Sequence, residues 1–303
     1  MPEPPTLVRR GRPLRIGTAA AVLLAVVGYV ALQYVYGGKR EPQCTVVSGT
    51  GDGASYTFTA GQAENAATVV AAGTSRGMPE RAVTIALATA LQESGLRNIT
   101  HGDRDSLGLF QQRPSQGWGD QRQIMDPAYS AGRFYEHLAG VPGYSRLPLT
   151  VAAQRVQRSG YPQAYAKHEP EAALLAAALT GRAPAAFGCE GRPGTDPGGP
   201  AKVRAALARD FGGQVRPGAA RGRTVTVRVP APLADDRSPR RGWELAHWAV
   251  AQSSALHVER VSYGGREWRA GGSGEWRKVE EARGAGSAKA GGGADEVRIV
   301  TGQ

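Results

Sequence analysis

The sequence predicts a mainly α-helical domain followed by a small α+β domain, the two preceded by one transmembrane helix. Three observations carry this. Residues 16–36 form an almost wholly apolar run without a charge, residues 61–182 repeat small and apolar side chains at helical spacing, and residues 223–303 hold short runs of alternating apolar and polar positions. With 303 residues, 41% of them hydrophobic, the chain has enough apolar material for an anchor and one or two packed domains, and global disorder is excluded.

The apolar run comes first. At ~1.5 Å per residue, 16–36 reaches ~31 Å and matches the ~30 Å hydrocarbon layer. Arg9, Arg10, Arg12 and Arg15 precede it, in a basic tail spanning 1–15. That charge predicts a cytoplasmic N-terminus, a single pass through the cell membrane and an extracytoplasmic remainder. A cleaved signal peptide is the rival reading, but no small-x-small site follows the run. A single span excludes a conventional multi-span transporter.

Next comes a segment from Cys44 to Cys189, read as one domain. Its two cysteines flank it in a compartment that permits a disulfide, which would stabilise by roughly 4–5 kcal/mol on the chain-entropy model. Two free thiols are the alternative. Two cysteines and five histidines, without an H-E-x-x-H pair, disfavour a metal-centred function, and no metal or organic cofactor is implied. Within the segment, helices are expected from Gly61 to about Gly73, from Pro79-Glu80 to Gly95, from Asp126-Pro127 through Leu138, from Val151 to Arg158, from Gln163 to Lys167 and from Glu169 to Leu179. Residues 190–222, rich in Gly, Pro and Arg, read as a linker holding one short helix, Lys202 to Phe211. Residues 223–303 read as the α+β module. It has a strand at Thr224–Val229, a helix from Trp243 to Leu256 and a hairpin from Val258 to Trp268 around Gly264-Gly265, with further strands at Glu275–Val279 and Val297–Val300.

The net charge is +11, but the segment 44–189 is nearly neutral and the excess lies in the flanks. A near-neutral domain suits a carbohydrate cleft. The basic C-terminal part, residues 190–303, suits anionic wall polymers or a membrane surface, or is the diffuse arginine of codon bias. No basic–aromatic motif supports a nucleic-acid partner.

The chemistry concentrates in Leu91-Gln92-Glu93-Ser94-Gly95-Leu96 and in Ser106-Leu107-Gly108-Leu109-Phe110-Gln111-Gln112. Glu93 ends an apolar helix, where desolvation and the negative end of the helix dipole both disfavour the carboxylate. A raised pKa is what a general acid needs near neutral pH. The Gly-rich turn that follows would bring backbone groups and Gln111 close to a sugar. Trp118 could stack on a pyranose face or pack in a loop. Asp105 is a candidate second carboxylate or a turn former.

Glu-Ser followed by Gly-Leu-Phe-Gln resembles the lysozyme-like lytic transglycosylases of the soluble type, over about residues 62–180. The resemblance implies a lysozyme-like fold and cleavage of peptidoglycan glycan strands, between N-acetylmuramic acid and N-acetylglucosamine. It implies Glu93 as acid/base, Ser94 as the neighbour that orients it, and Gly108, Leu109, Phe110 and Gln111 as part of the glycan cleft. The family's later Ala-Tyr-Asn-Ala-Gly motif is replaced here by Ala152 to Gly160, which leaves Gln157 and Tyr161 as residues that could supply its substrate contacts. A non-catalytic peptidoglycan-binding or scaffold protein with a degenerate cleft is the alternative. The tail around Gly242-Trp243-Glu244 resembles modules appended to cell-wall hydrolases; no protein partner follows from it.

Overall fold

The computed structural model describes residues 22–31, 42–161, 163–191, 198–229, 238–279 and 295–302. The chain divides into two units, Met1–Glu41 and Pro42–Gln303. In the first, residues 22–31 are helical (α1), with every side chain exposed. No helix among the described residues is long and apolar enough to cross a membrane. The basic tail and the rest of the 16–36 run lie outside the described residues.

The second unit is a mixed α+β structure with two antiparallel sheets. The first sheet consists of β1 (Gln43–Val47), β2 (Ser55–Thr59) and β3 (Phe187–Glu190), in the order β2-β1-β3. These strands are not among the predicted elements, although Tyr-Thr-Phe-Thr alternates as a strand does. The signal for β1 and β2 was the Gly- and Asp-rich turn between Thr-Val-Val and Tyr-Thr-Phe-Thr. Strand β3 carries no such signal. It forms because the chain returns to pair with β1, placing Cys189 directly opposite Cys44, and the two are disulfide-bonded.

Helix α2 (Ala60–Thr74) starts at a capping box: Gln62 Oε1 accepts the Thr59 N–H at 2.9 Å while the Thr59 hydroxyl accepts the Gln62 N–H. Its buried face is built of small residues, Ala63, Ala66, Ala67 and Val70, so neighbours approach closely. At Gly73 the approach is closest, for a Cβ there would lie 2.6 Å from the Tyr135 ring. Gly73→Ala should therefore destabilise. The helix-propensity gain of about 1 kcal/mol is outweighed by an overpacking cost of about 1–3 kcal/mol. Urea unfolding checks this, and a rise in the midpoint would refute it.

Helix α3 (Glu80–Ser94) follows, with a short α4 (Gln121–Ile124), then α5 (Pro127–Ala139), α6 (Leu149–Gln157) and α7 (Glu169–Leu179). Helix α3 is the central element, buried from Ala82 to Leu91 and packed on α7, α2 and α5. The predicted helix at 163–167 is corrected to one 3₁₀ turn, Ala166–His168. A single turn does not repay helix nucleation.

Helix α8 (Pro200–Phe211), expected inside a linker, buries Val203, Leu207 and Phe211 and packs against α2. The second sheet has the order β4-β8-β5-β6-β7, from β4 (Thr224–Arg228), β5 (Val258–Tyr263), β6 (Arg266–Arg269), β7 (Arg277–Lys278) and β8 (Glu296–Thr301). The expected helix from Trp243 to Leu256 starts earlier and is split into α9 (Ser238–Ala251) and α10 (Ser253–Leu256). The break falls at Gln252, whose side-chain amide reaches Thr68 on α2 at 3.2 Å. Buried polar groups tie this region to the helices. Asp210 accepts from Trp248 Nε1 at 2.8 Å and from the Thr68 hydroxyl at 3.2 Å, while Trp276 Nε1 donates to the Phe187 carbonyl at 2.8 Å. Trp243, Trp248 and His247 are buried here.

Candidate active site

Helix α3 ends in a glycine stop. Gly95 has φ 62°, the Gly95 N–H bonds the Leu91 carbonyl at 2.9 Å and the Leu96 N–H bonds the Ala90 carbonyl at 3.1 Å. This left-handed glycine cap fixes the last turn and with it the direction of Glu93. The side chain lies half-buried on the wall of an open cleft of about 700 Å³. Burial pushes its pKa up, against hydrogen bonds from Tyr165 and Gln157 that pull it down. The Tyr165 hydroxyl donates to Glu93 Oε1 at 2.7 Å. Tyr165 itself is fully buried, and its own pKa is raised by that burial and by the facing Glu93 charge.

Five of the expected residues meet at the cleft: Glu93, Gln111, Trp118, Gln157 and Tyr161. Gln111 holds φ 48°, a left-handed conformation uncommon outside glycine, and the cleft residue Arg158 holds φ 52°. Strained backbone of this kind clusters at functional sites. Trp118 is 8% exposed and stacks on His137 at 4.2 Å, so packing takes one of its faces. Burial, followed by the charge of Arg133, lowers the His137 pKa. Tyr161 is 79% exposed and offers the open aromatic surface of the cleft.

Other expected residues serve the cleft from behind. Ser94 is buried, and its hydroxyl donates to the Leu109 carbonyl at 2.8 Å. It pins the Gly-Leu-Phe-Gln turn to the end of α3 rather than touching Glu93. Leu109 and Phe110 are fully buried, and the Phe110 carbonyl accepts from Gln157 Nε2 at 2.7 Å. Gly108 sits at φ 74° where a Cβ would lie 2.8 Å from the Ile124 carbonyl oxygen, so the turn requires glycine. Asp105 is not among the residues lining the cleft. Its two oxygens accept from the Ser115 N–H at 2.8 Å and the Ser115 hydroxyl at 3.0 Å, which hold its pKa down. The carboxylate that does line the cleft is Asp103, ion-paired to Arg113 at 2.7 Å.

From the sequence alone Tyr165 reads as a helix-packing aromatic, with lining the cleft as the alternative, and neither Arg155 nor Arg158 stands out. All three act through the tertiary arrangement of α6 and the following loop against α3, which no local pattern encodes. Tyr165→Phe is expected to raise the Glu93 pKa further, because it removes the largest interaction favouring the anion. Carboxyl ¹³C titration of Glu93 reads this, and a fall would contradict the arrangement.

A single acid held partly out of water, fixed by a phenol and facing an open groove, can donate a proton to a bound oxygen and take one back. No protein-family model matches the chain, and no curated protein matches it.

Proposed function

We propose that this chain is a membrane-anchored, outward-facing enzyme of lysozyme-like fold that cleaves peptidoglycan glycan strands, as a lytic transglycosylase or muramidase. The observation that carries the proposal is Glu93, a half-buried acid with a raised pKa on the wall of a cleft large enough for several sugar rings. The protonated carboxyl gives its proton to the oxygen linking N-acetylmuramic acid to N-acetylglucosamine. The bond from the muramic anomeric carbon to that oxygen breaks, and positive charge develops on the ring. The resulting carboxylate then removes a proton from the attacking hydroxyl. In a transglycosylase that hydroxyl is the sugar's own 6-OH, and a 1,6-anhydro end forms; in a muramidase it is water.

Tyr165 and Gln157 orient the acid and limit how far burial raises its pKa. The intramolecular route needs one carboxyl. It is the better fit to a cleft whose other carboxylate, Asp103, is held by Arg113, with Asp105 turned to Ser115. The test is digestion of purified peptidoglycan by the full chain in detergent, followed by mass spectrometry of the soluble products. Anhydro-muropeptides are expected from the native chain. Binding to the wall without release of any fragment would refute the enzymatic reading.

A further inference from the structure

The charges in the cleft do not cancel. Asp103 is paired with Arg113, whose Nε also donates to the Ser106 hydroxyl at 2.8 Å, so that guanidinium is committed. Burial favours the uncharged forms of Glu93 and His137. Two cations remain, Arg155 on the last turn of α6 and Arg158 at its C-cap. Both are exposed, and among the described residues neither has a carboxylate partner. Three residues apart in the chain, they line the same cleft. The left-handed φ of Arg158 ends the helix at the cleft wall.

We propose that Arg155 and Arg158 form an anion subsite, which recognises a carboxylate carried by the glycan and makes the cleft selective for acidic over neutral amino-sugar polymers. The proposal rests on the glycan-cleaving reading above. A guanidinium fork meets a carboxylate with two parallel hydrogen bonds, and such charge-assisted pairs are about twice as strong as neutral ones. The position also suits the chemistry. Arg158 is among the charges that lower the His137 pKa, while neither arginine is among the influences on Glu93. The cationic end is thus separated from the acid, so an anion can be bound without the arginines drawing the proton off Glu93.

The carboxylate has two sources in such a polymer, the lactyl ether of muramic acid and the peptide attached to it. Three probes separate them: a peptide-bearing muramic acid tetrasaccharide, the same strand stripped of peptide, and neutral chitotetraose. Binding is measured on the full chain carrying Glu93→Gln, so that turnover does not intervene. The double change Arg155→Gln/Arg158→Gln is expected to lower affinity for the acidic probes by roughly 10- to 100-fold relative to chitotetraose. Arg155→Lys/Arg158→Lys is expected to recover part of it. Added salt should reduce the preference only where the arginines are present. Loss with the peptide-bearing probe alone assigns the peptide carboxylate, and loss with both acidic probes assigns the lactyl group. Equal affinity for acidic and neutral probes before substitution, or a preference unchanged by it, would overturn the subsite. The enzymatic reading fails separately, if the native chain releases no fragment from any probe.

Discussion

Replacing Glu93 by Gln is expected to lower the rate of glycan cleavage by about 10²- to 10⁴-fold, the usual contribution of a positioned general acid–base. The amide is nearly isosteric and can still accept from Tyr165, so the cleft and its affinity for glycan should survive. Only the transferable proton is lost. The pH profile carries the same argument. Burial raises the Glu93 pKa, so the protonated form persists above the ordinary carboxyl range, and the rate falls as pH rises through that raised value. Tyr165→Phe should move this alkaline limb to higher pH. A profile without a limb that responds to Tyr165 would remove Glu93 from the proton-transfer step.

Stability should change in the opposite sense. With a folded pKa above its unfolded value, Glu93 binds its proton more tightly in the native state. Its contribution is most favourable below the unfolded pKa and is lost as pH rises through the folded one. At neutral pH, ionising the acid therefore costs stability, and Gln carries no such cost. Glu93→Gln should unfold at the same or higher denaturant concentration than the native chain at pH 7, while losing activity. A variant that is both inactive and less stable would point to damage to the fold instead.

The ends of α3 show what the sequence encodes locally. Pro79, in extended backbone, stands as the N-cap ahead of Glu80, and Ser94-Gly95 stops the helix because glycine accepts the left-handed cap cheaply. Glu93 could thus be placed at a helix end, and a raised pKa expected, from residues within one turn. Sequence could not give the partner. Tyr165 lies 72 positions away, at the N-cap of the 3₁₀ turn Ala166–His168, and reaches Glu93 because that turn and α7 pack on α3. Strand β3 is a similar case: Phe-Gly-Cys-Glu has no strand signature, and pairing with β1 decides it. Asp105 fails differently. Both its oxygens accept from Ser115, ten residues on, which ties the loop together and leaves the carboxylate out of the cleft lining.

The second large effect is expected from the disulfide. Cys44 and Cys189 are separated by 145 positions and bridge β1 to β3, the strands that bracket α2 through α7. Cross-linking so long a loop removes conformational entropy from the unfolded chain worth about 5 kcal/mol on the chain-entropy model. Both residues are buried in the apolar core, so Ala replaces them more cleanly than Ser, which would bury unpaired hydroxyls. The Cys44→Ala/Cys189→Ala chain is expected to melt roughly 10–20 °C lower, since each kcal/mol is worth about 2–4 °C in a unit of this size. The native fold itself should persist. Strand β1 is also paired with β2, and Val47 N–H still reaches the Ala186 carbonyl at 2.8 Å. Reduction of the native chain by dithiothreitol should give the same shift without any change of side-chain volume, and agreement between the two separates loop entropy from lost packing. A drop below about 3 °C in both would mean that the unfolded chain already keeps its ends together, and the entropic account of this bond would fail.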